Sequence, residues 1–141
     1  MGHKPIGGVM GARLYAATSV GLPTEGVEVA LIDDRSRYRQ IVRAEGGQTV
    51  VEQRLELVAR QNDAQAWLEP AFVSCAALQG LRAVVTLNDG RVVEVGNLDK
   101  LQCGEPLRFV QLVVDSAASA MDEPTVTLEL CAEDVKLRCY E

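Results

Sequence analysis

Residues 81–96 read LRAVVTLNDGRVVEVG, two valine-rich runs flanking Asn88-Asp89-Gly90. β-Branched residues favour extended backbone, and Asp-Gly between such runs marks a reversal. A tight primed turn needs positive φ at its central residues, and glycine takes that conformation without steric cost. An antiparallel hairpin is therefore written into this stretch. Residues 49–60 add a second constraint. One parity reads Val51, Gln53, Leu55, Leu57, Ala59 and the other Val50, Glu52, Arg54, Glu56, Val58, Arg60. A strand with one apolar and one largely charged face is half-buried, so this segment needs an apolar layer to cover it.

Residues 1–26 carry Gly2, Gly7, Gly8, Gly11, Gly21 and Gly26 with Pro5 and Pro23. Only 12–18 suits a short strand there, and the remainder reads as an N-terminal arm, mobile or ordered by a partner. A single β-rich domain is expected over 27–141. In it, 27–32 reads as a strand, Asp33-Asp34-Arg35-Ser36 as a turn, 37–42 as the return, and Glu45-Gly46-Gly47-Gln48 as the next reversal. A helix is predicted over about 63–79, with Asn62 or Asp63 as N-cap and Trp67, Ala71, Cys75 and Leu78, beside Leu68, Phe72 and Ala76, at helical spacing. Pro70 either opens the helix proper or kinks it, because inside a helix it deletes a backbone bond and clashes one turn back. Gly80 ends the helix. Beyond the hairpin, 97–106 and 116–124 read as loops and 107–115 as a strand. Residues 125–132 form another, with Val126, Leu128 and Leu130 inward. Val135, Leu137 and Cys139 alternate with Lys136, Arg138 and Tyr140 in a last strand.

About seven or eight strands and one flanking α-helix, joined by short connections, give a mainly β (α+β) chain. The expected architecture is an antiparallel β-sandwich or flattened barrel with the helix over one open face or end. A net charge of −6 disfavours a nucleic-acid or anionic-membrane binder, whose affinity comes from Lys and Arg displacing counterions. No run approaches the roughly 20 apolar residues of a membrane span, and the N-terminus lacks the apolar core of a secretory signal. A soluble, intracellular protein is expected, with Cys75, Cys103, Cys131 and Cys139 reduced and structural.

The residues offer no chemistry. There is no nucleophile paired with a base, no metal-ligand cluster and no phosphate loop, and His3 is the only histidine. Asp33-Asp34, Asp122-Glu123 and Glu133-Asp134 fall where turns are expected, and Trp67 and Phe72 read as core. No catalytic residue, cofactor or metal site is assigned, and the chain is read as a non-enzyme. The feature that stands out is Arg35, Arg37, Arg39 and Arg43, which share one parity of a strand with Ile41. Four guanidinium groups along one face can bind phosphate. They can equally pair with carboxylates such as Glu52 and Glu56, across the sheet or across a subunit boundary. The acidic balance and the scarcity of aromatics favour charge pairing, which makes these arginines the candidate subunit interface.

In order, residues 49–134 run from a charged alternating strand ending Ala59-Arg60-Gln61-Asn62-Asp63-Ala64, through an Ala-rich helix, to a hairpin opened by Gly80-Leu81-Arg82-Ala83-Val84-Val85-Thr86. Val95-Gly96, Glu105-Pro106-Leu107-Arg108 and Pro124-Thr125-Val126-Thr127-Leu128-Glu129-Leu130 follow, before Asp134. This order resembles small structural tail proteins of bacteriophages and prophages, the class that includes tail-tube subunits. The resemblance implies a β-sandwich or barrel with a flanking helix, assembled with other tail proteins as rings, usually hexamers, that stack into a hollow tube. It implies a non-enzymatic virion structural protein, cytoplasmic during assembly and then part of a virion or tail-like particle. The glycine-rich arm departs from that pattern, and a tail-completion or baseplate component fits as well. No functional residues carry over. The alternative is a small-ligand or peptide-binding β-barrel module.

Overall fold

The structure is a computed structural model that describes residues 8–17, 21–32, 35–96 and 106–134. Its elements are β1 (Val9–Ala16), β2 (Val27–Glu28), β3 (Arg37–Glu45), β4 (Gln48–Arg60), α1 (Gln65–Leu68), α2 (Pro70–Leu78), β5 (Leu81–Leu87), β6 (Val92–Val95), β7 (Arg108–Asp115) and β8 (Thr125–Asp134). They form two four-stranded antiparallel sheets, ordered β2-β1-β5-β6 and β3-β4-β8-β7. One core takes Ala12, Leu14 and Ala16 from β1 and Leu81, Ala83 and Val85 from β5. From the other sheet it takes Leu55 and Leu57 on β4 and Val126, Leu128 and Leu130 on β8. The two sheets thus face each other as a β-sandwich, with the helices filling one end through Trp67, Phe72, Cys75 and Ala76.

The alternation in the sequence accounts for the layers. Val51, Gln53, Leu55, Leu57 and Ala59 are all buried, while Glu52, Arg54 and Glu56 face outward. Each leucine so buried contributes roughly 1.5–3 kcal/mol over an exposed one, so the parity of β4 and β8 settles which face turns inward. Val126, Leu128 and Leu130 point inward as expected, at 0, 0 and 1 % exposure.

Two seams tie the sheets together. At one, the Val9 amide donates to the Ser36 carbonyl at 3.1 Å, and the buried Ser36 Oγ accepts the Val58 amide at 2.8 Å. At the other, Leu81 and Leu107 exchange both backbone bonds, Leu81 N to Leu107 O at 2.9 Å and Leu107 N to Leu81 O at 2.8 Å. Gly80 and Gly96 flank that bridge. Both have positive φ, +86° and +74°.

Several expectations need correction. Residues 9–16, assigned to an arm in which only 12–18 suited a short strand, form β1, which lies between β2 and β5 and buries Val9, Ala12, Leu14 and Ala16. Ala12, Leu14 and Ala16 alternate inward, and a register shift between Val9 and Gly11 brings Val9 to the same face. The strand expected over 27–32 is only β2. The single helix over about 63–79 is two helices, parted at Glu69, whose backbone is extended (φ −66°, ψ +134°), as the residue before a proline prefers. Pro70 starts α2, and neither Asn62 nor Asp63 is the N-cap, a position held by Ala64. Because the break resets the helical phase, Ala71 and Leu78 are exposed although unbroken helical spacing predicts them on the inward stripe. Glu133-Asp134 ends β8 and is not a turn.

Both reversals form, but the tight primed turn expected at Asp89-Gly90 is a longer loop. At Asp89-Gly90 the Leu87 amide donates to Arg91 O at 2.8 Å across a three-residue loop, and of the loop residues only Gly90 has positive φ. That is a type I turn closed by a left-handed glycine. The two-residue primed turn is at Gly46-Gly47, both at positive φ, between the paired residues Glu45 and Gln48. His3, Asp33-Asp34, Cys103, most of the 97–106 loop and the strand expected after Asp134 lie outside the described residues.

Candidate functional site

The outer face of the second sheet carries the arginines singled out in the sequence. β3 and β4 pair with Arg37 opposite Glu56, Arg39 opposite Arg54 and Ile41 opposite Glu52. β4 and β8 pair with Glu52 opposite Glu133, Arg54 opposite Cys131 and Glu56 opposite Glu129. Direct neighbours of like charge are unfavourable, so the side chains lean diagonally towards opposite charge. Glu56 receives Arg37 at 3.5 Å and Arg39 at 3.4 Å. Glu52 receives Arg43 at 2.5 Å and Arg54 at 2.7 Å. Arg43 also reaches Glu45 at 3.0 Å and Glu133 at 3.5 Å. Arg37, Arg39 and Arg43 therefore meet carboxylates of their own chain, while Arg35 lies exposed in the turn before β3. A lattice of compensated charge has few counterions to release, which disfavours phosphate binding by Arg37, Arg39 and Arg43.

Glu52 is the hinge of this lattice, its side chain 14 % exposed. The Arg54 hydrogen bond holds its carboxyl below the usual carboxylate range, helped by Cys131 Sγ at 3.3 Å and by the Arg43 charge. Burial pushes the Cys131 thiol up, and the hydrogen bond to Glu52 adds to that, which disfavours the thiolate. A carboxylate whose folded pKa lies below its unfolded one contributes stability above the unfolded value, near 4.3 for Glu, and loses it as pH falls through the lower folded value. Glu52→Gln is therefore expected to be less stable than wild type at pH 7. The gap should narrow on acidification below about pH 4, as read from urea midpoints across a pH series. A pH-independent gap would mean that Glu52 acts through packing alone.

The edges of the sheets differ sharply. β2 is two residues long and β6 four, and β3 is studded with charge, which are ordinary ways of protecting an edge strand. β7 is eight residues long, with charges only at its ends, Arg108 and Asp115. Val110, Val113 and Val114 on it are 49, 42 and 51 % exposed. The sequence locates this strand but not its place at an edge, since strand order depends on which distant partner β8 accepts. The signal available was a β-branched run with no interior charge.

Two of the hollows among the described residues are roomy enough to hold a small molecule. One of about 240 Å³ is lined by Tyr15, Arg82, Ala83, Val84 and Glu94, with the Arg82 guanidinium 5.6 Å from the Tyr15 ring centre. Another of about 410 Å³ lies among residues 60–63, Glu123 and Pro124. Neither is a deep apolar cavity, and the space between the sheets is taken up by the core side chains. No group of three or more His, Cys, Asp or Glu placed to hold a metal occurs among the described residues, and no helix among them is long and apolar enough to cross a membrane. Comparison with known proteins finds no matching family model, no matching curated protein and no matching solved structure.

Proposed function

We propose that this chain is a non-enzymatic structural subunit that works by self-association and, on the tail-protein resemblance, a component of a phage or prophage tail. The observation that carries the self-association is β7, an eight-residue edge that no other described strand pairs, with three exposed valines, where the other edges among the described residues are short or charged. An unpaired edge offers a row of backbone donors and acceptors that another strand satisfies. The charge-compensated face of the same sheet adds a surface that stays hydrated without binding polyanions. The β-sandwich with flanking helices agrees with the fold implied by the resemblance, and the assignment to a tail rests on that resemblance.

Light scattering on eluting protein over a concentration series tests the reading. A mass above the 15.3 kDa of one chain, rising with concentration, is the expected result. A strict monomer at high micromolar concentration overturns it. Ring-shaped particles in negative stain would extend the result to a tail-tube role.

A further inference from the structure

Resting on the self-association reading, we propose that two copies of this chain join through β7 across a two-fold axis centred on Leu112, fusing their second sheets into one continuous sheet. The partner is a second copy because β7 is complementary to itself in face, charge and apolar content.

Face comes first. Arg108 and Asp115 are seven positions apart, so in a regular strand they would point to opposite sides. A bulge between Phe109 and Gln111 changes that, with Val110 as the extra residue. Arg108 lies opposite Cys131 and Asp115 opposite Thr125, and these two β8 residues share one parity, so Arg108 and Asp115 share the outer face. With Val110 set aside, the register alternates symmetrically about Leu112: Arg108, Gln111, Val113 and Asp115 on the outer face, Phe109, Leu112 and Val114 on the inner one, with Val114 at its exposed end.

Placed antiparallel to its own copy about that centre, β7 sets every residue against one of the same face, as pairing requires. Arg108 meets the partner's Asp115 at both ends of the contact, Phe109 meets Val114, Gln111 meets Val113, and Leu112 meets itself. Opposite charges directly across and apolar pairs between them are the combination that stabilises antiparallel neighbours. A shift by one residue would set outward residues against inward ones, and a shift by two, which keeps the faces, would separate both charge pairs, so this alignment is the one that satisfies both. The β3 edge suits this less well, since the same pairing centred on its midpoint Ile41 would set Arg39 against the partner's Arg43 twice over, and its arginines already meet carboxylates of their own chain. A two-fold contact closes at two copies. A ring therefore needs a second, head-to-tail contact elsewhere.

The test uses Arg108→Asp, Asp115→Arg and the double variant in the full chain, weighed by light scattering or sedimentation. Each single variant sets like charges against each other at both ends, and is expected to raise the dimer dissociation constant tenfold or more. The double variant restores opposite charge and returns towards wild type. Asp115 also accepts the Ala117 amide at 2.8 Å, so Asp115→Arg disturbs a turn as well as the contact. Mixing the two single variants removes that ambiguity. The aspartate introduced at position 108 of one copy then meets the arginine introduced at position 115 of the other, and at the opposite end the unchanged Asp115 meets the unchanged Arg108. Association of the mixture, where each alone stays monomeric, is the expected result. Monomers alone and in the mixture overturn the contact, as does wild-type association that none of the variants changes. The latter leaves self-association standing through another surface, whereas a monomeric wild type overturns both.

Discussion

Gly96→Ala will destabilise this protein by about 3 kcal/mol or more, far beyond the usual cost of giving a glycine a side chain. Its φ of +74° alone costs an L-residue about 1–2 kcal/mol. A Cβ there would also sit 2.8 Å from Leu81 O and 2.9 Å from Leu107 N, the two atoms of one bond in the bridge between the sheets. Those atoms are backbone, so relief means pulling the seam apart, and overpacking of this kind typically adds about 1–3 kcal/mol. Gly90→Ala is the matched control: φ is +91°, but no atom lies within 4 Å of the added Cβ. It should lose about 1–2 kcal/mol, the backbone part alone. Urea midpoints of the two variants against wild type measure the difference, and equal losses would mean that the seam yields.

Trp67→Ala is the second large effect expected, at about 3–5 kcal/mol, because a side chain 1 % exposed leaves a cavity that the ends of two sheets cannot collapse to fill. Trp67→Phe should cost less than half as much. The buried Trp67 Nε1 donor has no hydrogen-bond partner among the described residues, and an unsatisfied buried donor itself costs about 1–3 kcal/mol, which phenylalanine removes while keeping most of the apolar volume. Thermal melts followed by circular dichroism give both values. If Phe proves as costly as Ala, the indole nitrogen is satisfied after all and the shape of the site dominates.

What could be read in advance divides by the range of the interactions. The parity of β4, the inward face of β8, the hairpin at residues 81–96 and the end of the helix at Gly80 follow from side-chain alternation and local backbone preference. Those signals are local, and they hold. β1 was legible only as a short strand at 12–18, because its apolar residues, Val9, Ala12, Leu14 and Ala16, are interleaved with Gly11 and sit among flanking glycines. What makes it a central strand is pairing with β5, more than sixty residues further on. The phase break at Glu69 depended on which of two proline geometries the core preferred. The arginine stripe was visible, and so were Glu52 and Glu56 as partners, since cross-strand opposition follows from a hairpin. The free edge at β7 was not, because edges are decided only when the last strand joins the sheet.

β4 has a temporal consequence. One side of it is satisfied by the adjoining hairpin strand β3, but the other waits for β8, and the ribosome must advance from Arg60 to Thr125 before that strand exists. At roughly 5–20 residues per second the wait lasts several seconds. During it the longest of the described strands shows a nascent chain an open edge and the unshielded faces of Leu55 and Leu57. Every chain thus passes through an interval of sticky incompleteness that a crowd of sister chains, translated from one message, can exploit. Yield in a cell will therefore follow the spacing of ribosomes and the supply of chaperones as much as the stability of the finished sandwich.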